Sequence, residues 1–409
     1  MRLVEALVYA RMLAQVFIVF TVVIIIGLFA YRALKPVPPL AVVFNPDYGC
    51  GPLPELKFTP VDGVSYADAE VQINTKKEAL QFMPPIAYVY RIRYKGETFA
   101  LRERLFNLAE QMDFDPNKYE KPEPYIFKWE DGRRVFVANS KTGAFLFSLK
   151  SSVLPVLKIG RITFADDAQR AAERVVSRLS LLQGYLEYKT GKPSYWVYSY
   201  PKKRFVKVDS GAEASAVRVD FFSRKPLLIY DLRYFSEKYR QKLDITRINY
   251  ISFYKNRDKL LSQKYTREYV ARTVGPKPNV GNPAVYVHSA EGRVFRDQII
   301  KLEYLNWDIL DVPCGTYPLR DIAAVTGLVV DKRAILVYVA PFGADETATP
   351  RDLAIKRITV NDIELAYYMG PGGGEFLQPI YLVKAAGYDS LNRRYDMVFY
   401  VDGVLRKQQ

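Results

Sequence analysis

The chain has 409 residues and a net charge of +15, from 59 Lys and Arg against 44 Asp and Glu. Its 49% hydrophobic and 25% charged residues are the balance of a folded globular protein, with room for two or three domains. One histidine and two cysteines are too few ligands for an ordinary zinc site, and the charge surplus points to anionic partners: lipid, wall polymer or nucleic acid.

Tyrosine and phenylalanine, 31 and 23 against 3 Trp, lean towards half-buried pleated surfaces and so towards sheet-rich domains. The first segment in chain order is of another kind. Between Arg11 and Arg32 run twenty uncharged residues, MLAQVFIVFTVVIIIGLFAY. A helix of that length spans about 30 Å, the hydrocarbon thickness of a bilayer, and no small-x-small cleavage pattern follows it. Residues 1–35 are therefore expected to be a short cytoplasmic tip and an uncleaved signal anchor. That expectation makes the chain a single-pass protein of the cell membrane, with its body extracytoplasmic. Arg2, Arg11, Arg32 and Lys35 against Glu5 leave +3 in this segment, so +12 belongs to the body.

Residues 36–68, rich in Pro and Gly, read as a semi-extended stalk. Residues 69–160 read as a first helix-hairpin module. Leu101, Leu105, Leu108 and Met112 give one apolar helical face within 99–115, with Thr98 as its cap. Strands follow around turns at Glu130-Asp131-Gly132 and Ser140-Lys141-Thr142-Gly143.

Residues 161–280 repeat the order: a helix from an Asp166 cap over 166–186, a hairpin around Pro201-Lys202-Lys203, a strand pair over SAVRVDFFSRKPLLIYD, then a basic stretch from 232 read as helix or long loop. Residues 281–409 form a C-terminal module, with a hairpin turning at Ala290-Glu291-Gly292, a short helix capped by Thr316, and the strands of IELAYYM and FLQPIYLV. The fold class this implies is α+β: an N-terminal transmembrane helix followed by serial modules of one helix plus an antiparallel sheet.

VFVANSKTGAFLF (135–147) is similar to the strand-turn-strand signature of PepSY-type modules. VRVDFF (217–222) and the strands of 363–404 resemble uncharacterised single-pass envelope proteins of Patescibacteria, and more distantly the YycH/YycI type of extracytoplasmic regulators. The resemblance covers most of the chain, in order. It implies contact with membrane protein partners, and it brings no catalytic motif with it.

Chemistry-bearing clusters are few. Gly370-Pro371-Gly372-Gly373-Gly374 lies between two strands, with neither the Lys nor the helix N-terminus that a phosphate loop requires, and reads as a hairpin tip. Pro379 removes a ladder donor. Its strand is thus expected at an edge, offering Phe376, Gln378, Pro379 and Tyr381 to a partner strand, or else bulged. His288 alternates with Val285 and Val287 and reads as structural. Cys50 and Cys314 are either free thiols or one disulfide tying the stalk to the last module. The pairs Asp166-Asp167 and Glu130-Asp131 read as cap and turn.

Two basic clusters stand among tyrosines: Lys202, Lys203 and Arg204, and Lys255, Arg257, Lys259, Lys264, Arg267 and Arg272. They are the candidate contacts to an anionic polymer or lipid surface, with nucleic acid as the weaker alternative. No catalytic, metal or cofactor site is expected. The functional expectation is a membrane-anchored, non-catalytic protein that binds or regulates an envelope partner. The alternatives are a structural subunit of a surface assembly, and a basic body binding wall polymer or nucleic acid.

Overall fold

The computed structural model describes residues 46–75, 84–93, 96–154, 164–182, 187–201, 203–231, 266–289, 298–305, 309–342, 352–370 and 374–406, with Phe17, Thr21 and Ile24. The chain divides into two units, Met1–Val43 with Asp231–Arg247, and Phe44–Tyr230 with Ile248–Gln409. The sheets and helices named below belong to the second.

The strands, in chain order, are β1 (Val64–Ser65), β2 (Glu70–Ile73), β3 (Ile86–Ile92), β4 (Glu120–Glu123), β5 (Ile126–Glu130), β6 (Arg134–Asn139) and β7 (Phe145–Leu149). Next come β8 (Glu187–Thr190), β9 (Ser194–Ser199), β10 (Arg204–Val208), β11 (Ala216–Asp231), β12 (Thr266–Val274) and β13 (Ala284–Val287). The rest are β14 (Ile299–Tyr304), β15 (Ile309–Pro318), β16 (Ile335–Pro341), β17 (Leu353–Tyr368), β18 (Phe376–Asp389) and β19 (Arg394–Asp402). Three helices are described: α1 (Phe99–Gln111), α2 (Ala165–Arg178) and α3 (Ile322–Val330).

One sheet runs β4–β5–β6–β7–β14–β13–β11–β9–β10, antiparallel at every step. Helices α1 and α2 cover one of its faces. Helix α1 starts where Thr98 Oγ1 accepts from the Leu101 amide at 3.1 Å, and it buries Leu105, Leu108 and Ala109. Helix α2 has no side-chain cap; Asp166 and Asp167 sit in its first turn, where the helix dipole favours negative charge. Its Ala168, Ala171, Ala172, Val175 and Val176 share one core with Trp129, Phe136, Phe147, Val219 and Val285 of the strands.

The second sheet runs β16–β19–β18–β17, a meander of β17, β18 and β19 with β16 added beside β19. On the far side of β17 lie β1, β2 and β12, all parallel to it. The start of β18 also meets β3, which pairs with β15. Strand β11 links the sheets: the hydroxyls of Tyr90 and Tyr367 both donate to the Pro226 carbonyl, at 2.7 and 2.9 Å.

These pairings overturn several expectations. The fold is not a series of α+β modules. Strand makes up 48% of the described residues, and pairing ignores the boundaries at 160 and 280: β7 lies beside β14, and β11 beside β13. Local hairpin patterns fix neighbours within a module but carry no information on strands 150 residues apart. SAVRVDFFSRKPLLIYD is one long strand, and α3 is capped by Asp321, whose Oδ1 accepts from the Ala324 amide, while Thr316 lies in β15.

The single-pass anchor, with an N-terminus inside and a body outside the cell membrane, is likewise corrected: among the described residues no helix is long and apolar enough to cross a membrane. The apolar run 12–31 itself lies, except for Phe17, Thr21 and Ile24, outside those residues. The stalk is corrected too. Its residues 46–63 are a strap laid on the second sheet. Thr316 N donates to Asp47 Oδ1 at 2.7 Å, Tyr317 OH to the Gly51 carbonyl at 2.6 Å and Gln378 Nε2 to the Pro54 carbonyl at 3.0 Å. Cys50 and Cys314 are joined by a disulfide with their Cα atoms 5.1 Å apart. The strap lies so close to β15 there that a Cβ on Gly315 would stand 2.5 Å from the Gly49 nitrogen. Farther on, Phe58 meets Tyr368 and Tyr400 edge-on at 4.9 and 5.4 Å.

Candidate functional site

The face of the first sheet opposite the helices carries a groove of about 340 Å³. Alternation along each strand decides which residues reach it. The register sets Tyr198 opposite Phe205, Trp196 opposite Lys207 and Ala216, and Arg218 opposite Tyr286; Tyr286 faces Lys301, and Lys301 faces Ser148. Their alternates Tyr195, Val217, Val219 and Val287 turn to the helices.

The face is strongly concave. Tyr198 and Phe205 have ring centres 5.5 Å apart, Trp196 and Tyr286 are 6.0 Å apart, and Phe205 and Tyr286 are 5.6 Å apart. These rings and Ile300 form the floor, with Leu149 and Leu154 packed beside them. Trp196 is 1% exposed, and its indole N–H donates to Ser194 Oγ at 2.8 Å, so it is a wall fixed in place.

Beneath the floor, the Arg218 guanidinium lies 5.7 Å from the Trp196 ring centre and 5.8 Å from that of Tyr286. Asp220 holds it at 2.7 Å, and Asp220 in turn accepts from the Gly281 amide at 2.8 Å. Burial pushes the Asp220 carboxyl up, against the pull of Arg218. At the rim stand Lys203, Arg204 and Lys301, with Ser148 and Ser151. Among the described residues, the lining contains three cations and no carboxylate. Lys301 has Glu303 as an ion-pair partner just outside it.

Of the expected anionic contacts, the structure brings Lys203 and Arg204 to this rim. Lys202, Lys255, Arg257, Lys259 and Lys264 lie outside the described residues, and Arg267 stands on β12. Arg272 is on β12 as well, bonded through Nε to Glu364 at 2.9 Å and packed over Phe222. It is engaged within the second sheet and does not join the hairpin cations.

The expected edge-strand contacts, Phe376, Gln378, Pro379 and Tyr381, are corrected: all four are buried, and β18 is flanked by β17 on one side and β3 and β19 on the other. Pro379 is tolerated because its carbonyl accepts from the Gly403 amide at 3.1 Å, on the β19 side. Its nitrogen faces the same way, beyond the last β18–β19 pair, Ile380 with Asp402, so the ladder to β17 loses no donor. The glycine run joins β17 to β18, whose last pair is Tyr368 with Gln378; Pro371–Gly373 themselves lie outside the described residues.

His288 is buried, with Nδ1 2.8 Å from the Ser215 carbonyl. Among the described residues no three His, Cys, Asp or Glu side chains gather where a metal would be held. Trp196, Phe205, Tyr286 and Lys301 are the groove residues that sequence reasoning missed. Their signal was alternation on four strands, but Tyr286 and Lys301 lie some eighty residues or more from the hairpin, and only the pairing reveals them.

No family model matches the chain, and no curated protein does. Among solved structures, the crystal structure of an uncharacterized protein from Eubacterium rectale ATCC 33656 is similar over 85% of this chain and 92% of its own, at 12% identity and a TM-score of 0.32. A likeness at that score supports no inference.

Proposed function

We propose that the chain is a non-catalytic binding protein whose groove on the open face of the first sheet holds an anionic ligand carrying a flat or apolar ring. The observation behind this reading is the lining itself: an aromatic floor under Lys203, Arg204 and Lys301, the last of them ion-paired to Glu303 outside the groove. In such a site the cations attract and orient the anion, while the floor excludes water and takes the apolar part. A partner protein presenting an acidic segment with an aromatic residue has this chemistry; an anionic wall polymer without rings would use the cations alone. Contact through Phe376, Gln378, Pro379 and Tyr381 is not part of it, because those residues are interior.

The test is isothermal titration of the full chain with polyglutamate, a polyol-phosphate polymer and oligothymidylate. The expected result is binding that weakens as salt rises, and that falls about tenfold or more with Lys203→Glu and Lys301→Glu together. Binding of all three polymers that is indifferent to both changes would sink the reading.

A further inference from the structure

We infer that the ligand of this groove is an extended acidic peptide that adds to β10 as a further strand of the sheet, its side chains reading acidic–x–ring–x–acidic. The inference rests on the groove reading above and deepens it.

The Tyr198 amide donates to Ser215 Oγ at 3.3 Å, and the Trp196 carbonyl accepts from the Ser215 amide at 2.9 Å. Both therefore point their backbone groups at β11, since in an antiparallel strand a residue's N–H and C=O share one edge. Tyr198 faces Phe205 and Trp196 faces Lys207, so these are pairs without mutual hydrogen bonds. Phe205 and Lys207 consequently turn their own N–H and C=O groups outward, away from β9. Among the described residues, β10 pairs with β9 alone.

These same two residues also place their side chains on the groove face. An antiparallel strand bonded at Lys207 and Phe205 sets two alternate side chains over that face, the first beside the Lys207 ammonium and the second against the Phe205 ring. A third, two residues on, falls beside Lys203, which turns back at φ 49° at the hairpin tip and lines the groove. Acid, ring and acid complement those three neighbours in that order.

The two edges of the sheet differ. At the far side of the sheet, β4 is guarded by exposed Glu120 and Glu123 and by Pro122, which has no N–H to offer. β10 has no proline, and its charges are cationic. A second copy pairing antiparallel there would add its own Arg204 and Lys207 to an already cationic edge, whereas an acidic strand is drawn in.

The experiment uses the full chain and a fluorescein-labelled peptide, Ser-Glu-Thr-Tyr-Thr-Glu-Ser, read by anisotropy. Binding is expected, about tenfold or more weaker when both glutamates become lysine. N-methylation of the tyrosine amide, which faces β10, should abolish binding, and N-methylation of a flanking threonine should leave it nearly unchanged. Phe205→Pro, which deletes one outward N–H and no bond to β9, should remove peptide binding while circular dichroism stays the same. Lys207→Glu should shift preference towards the lysine peptide. If both N-methyl peptides bind equally, strand addition is overturned. If oligothymidylate or the polyol phosphate binds and the peptide does not, strand addition fails while the groove reading stands. If no probe binds, both fail.

Discussion

The rings of Phe205 and Tyr286 touch, with centres 5.6 Å apart, although β9 and β11 run between their strands. On a flat sheet, three strand spacings would hold those side chains about 14 Å apart. The contact is thus a measure of how far the sheet curls, and it is part of what keeps the groove closed. Phe205→Ala removes it and should lower unfolding stability by about 1–2 kcal/mol, since the ring is only half buried. Trp196→Ala, at a site 1% exposed, should cost about 3–5 kcal/mol. Urea midpoints measured side by side decide this; a Phe205→Ala midpoint equal to that of the parent would mean that the curl is held elsewhere.

The strap of residues 46–63 makes the next prediction. Its disulfide joins residues 264 apart in sequence, so it restricts a very long loop in the unfolded chain. Reduction, or Cys314→Ser, should lower stability by roughly 2–5 kcal/mol. Phe58 and the Pro54 carbonyl still hold the strap's far end. Reduction should therefore expose 46–52 to protease before 54–61, which mass spectrometry of limited digests would show. Cleavage starting near Phe58 would contradict that order.

Much of the local structure is legible in the sequence, and little of the global pairing is. Thr98 with the leucine spacing after it predicts α1, and Asp-Gly and Thr-Gly predict turns, because each signal acts over a few residues. Gly143 does take the positive φ, at 75°, that its turn demands. Pro379 misled for a physical reason: a missing donor marks an edge only on the side to which the nitrogen points, and sequence does not give that side. The groove was half visible. Lys203, Arg204 and Tyr198 stand together in the sequence, whereas Tyr286 and Lys301 join them only through β11, β13 and β14.

A pH dependence follows from the ion network on the second sheet. Burial alone would raise the Glu364 carboxyl, but Arg272 at 2.9 Å and Lys384 at 2.8 Å hold it below its ordinary value. A carboxylate depressed in the fold stabilises above its unfolded pKa, near 4.5, and that contribution is lost as pH falls through the folded value. Lys384 is raised, against its own burial, by Glu364 and Asp362, so its contribution is present below about pH 10.5 and lost above it. Glu364→Gln should therefore be less stable than the parent at pH 7 by on the order of 1 kcal/mol, and the gap should close as pH falls through the folded value of the Glu364 carboxyl. A gap that persists unchanged at pH 3 would point to packing and not charge.

The Pro226 carbonyl offers the sharpest energetic test, because two phenols reach it from different strands. Tyr90 donates at 2.7 Å, and Tyr367 at 2.9 Å while also within 2.9 Å of the Tyr88 carbonyl. The two rings meet edge-on at 5.6 Å. Tyr90→Phe or Tyr367→Phe alone leaves the carbonyl one donor and should cost about 1 kcal/mol. The double change strands a buried acceptor, and desolvation then adds a penalty that neither single change shows. The double-mutant cycle should accordingly be non-additive, with the pair losing about 1–2 kcal/mol more than the sum of the single losses. Chemical denaturation of the four proteins measures this directly. Additivity would mean that water replaces the lost hydroxyls, and that the joint between β11 and the second sheet is wetter than its burial implies.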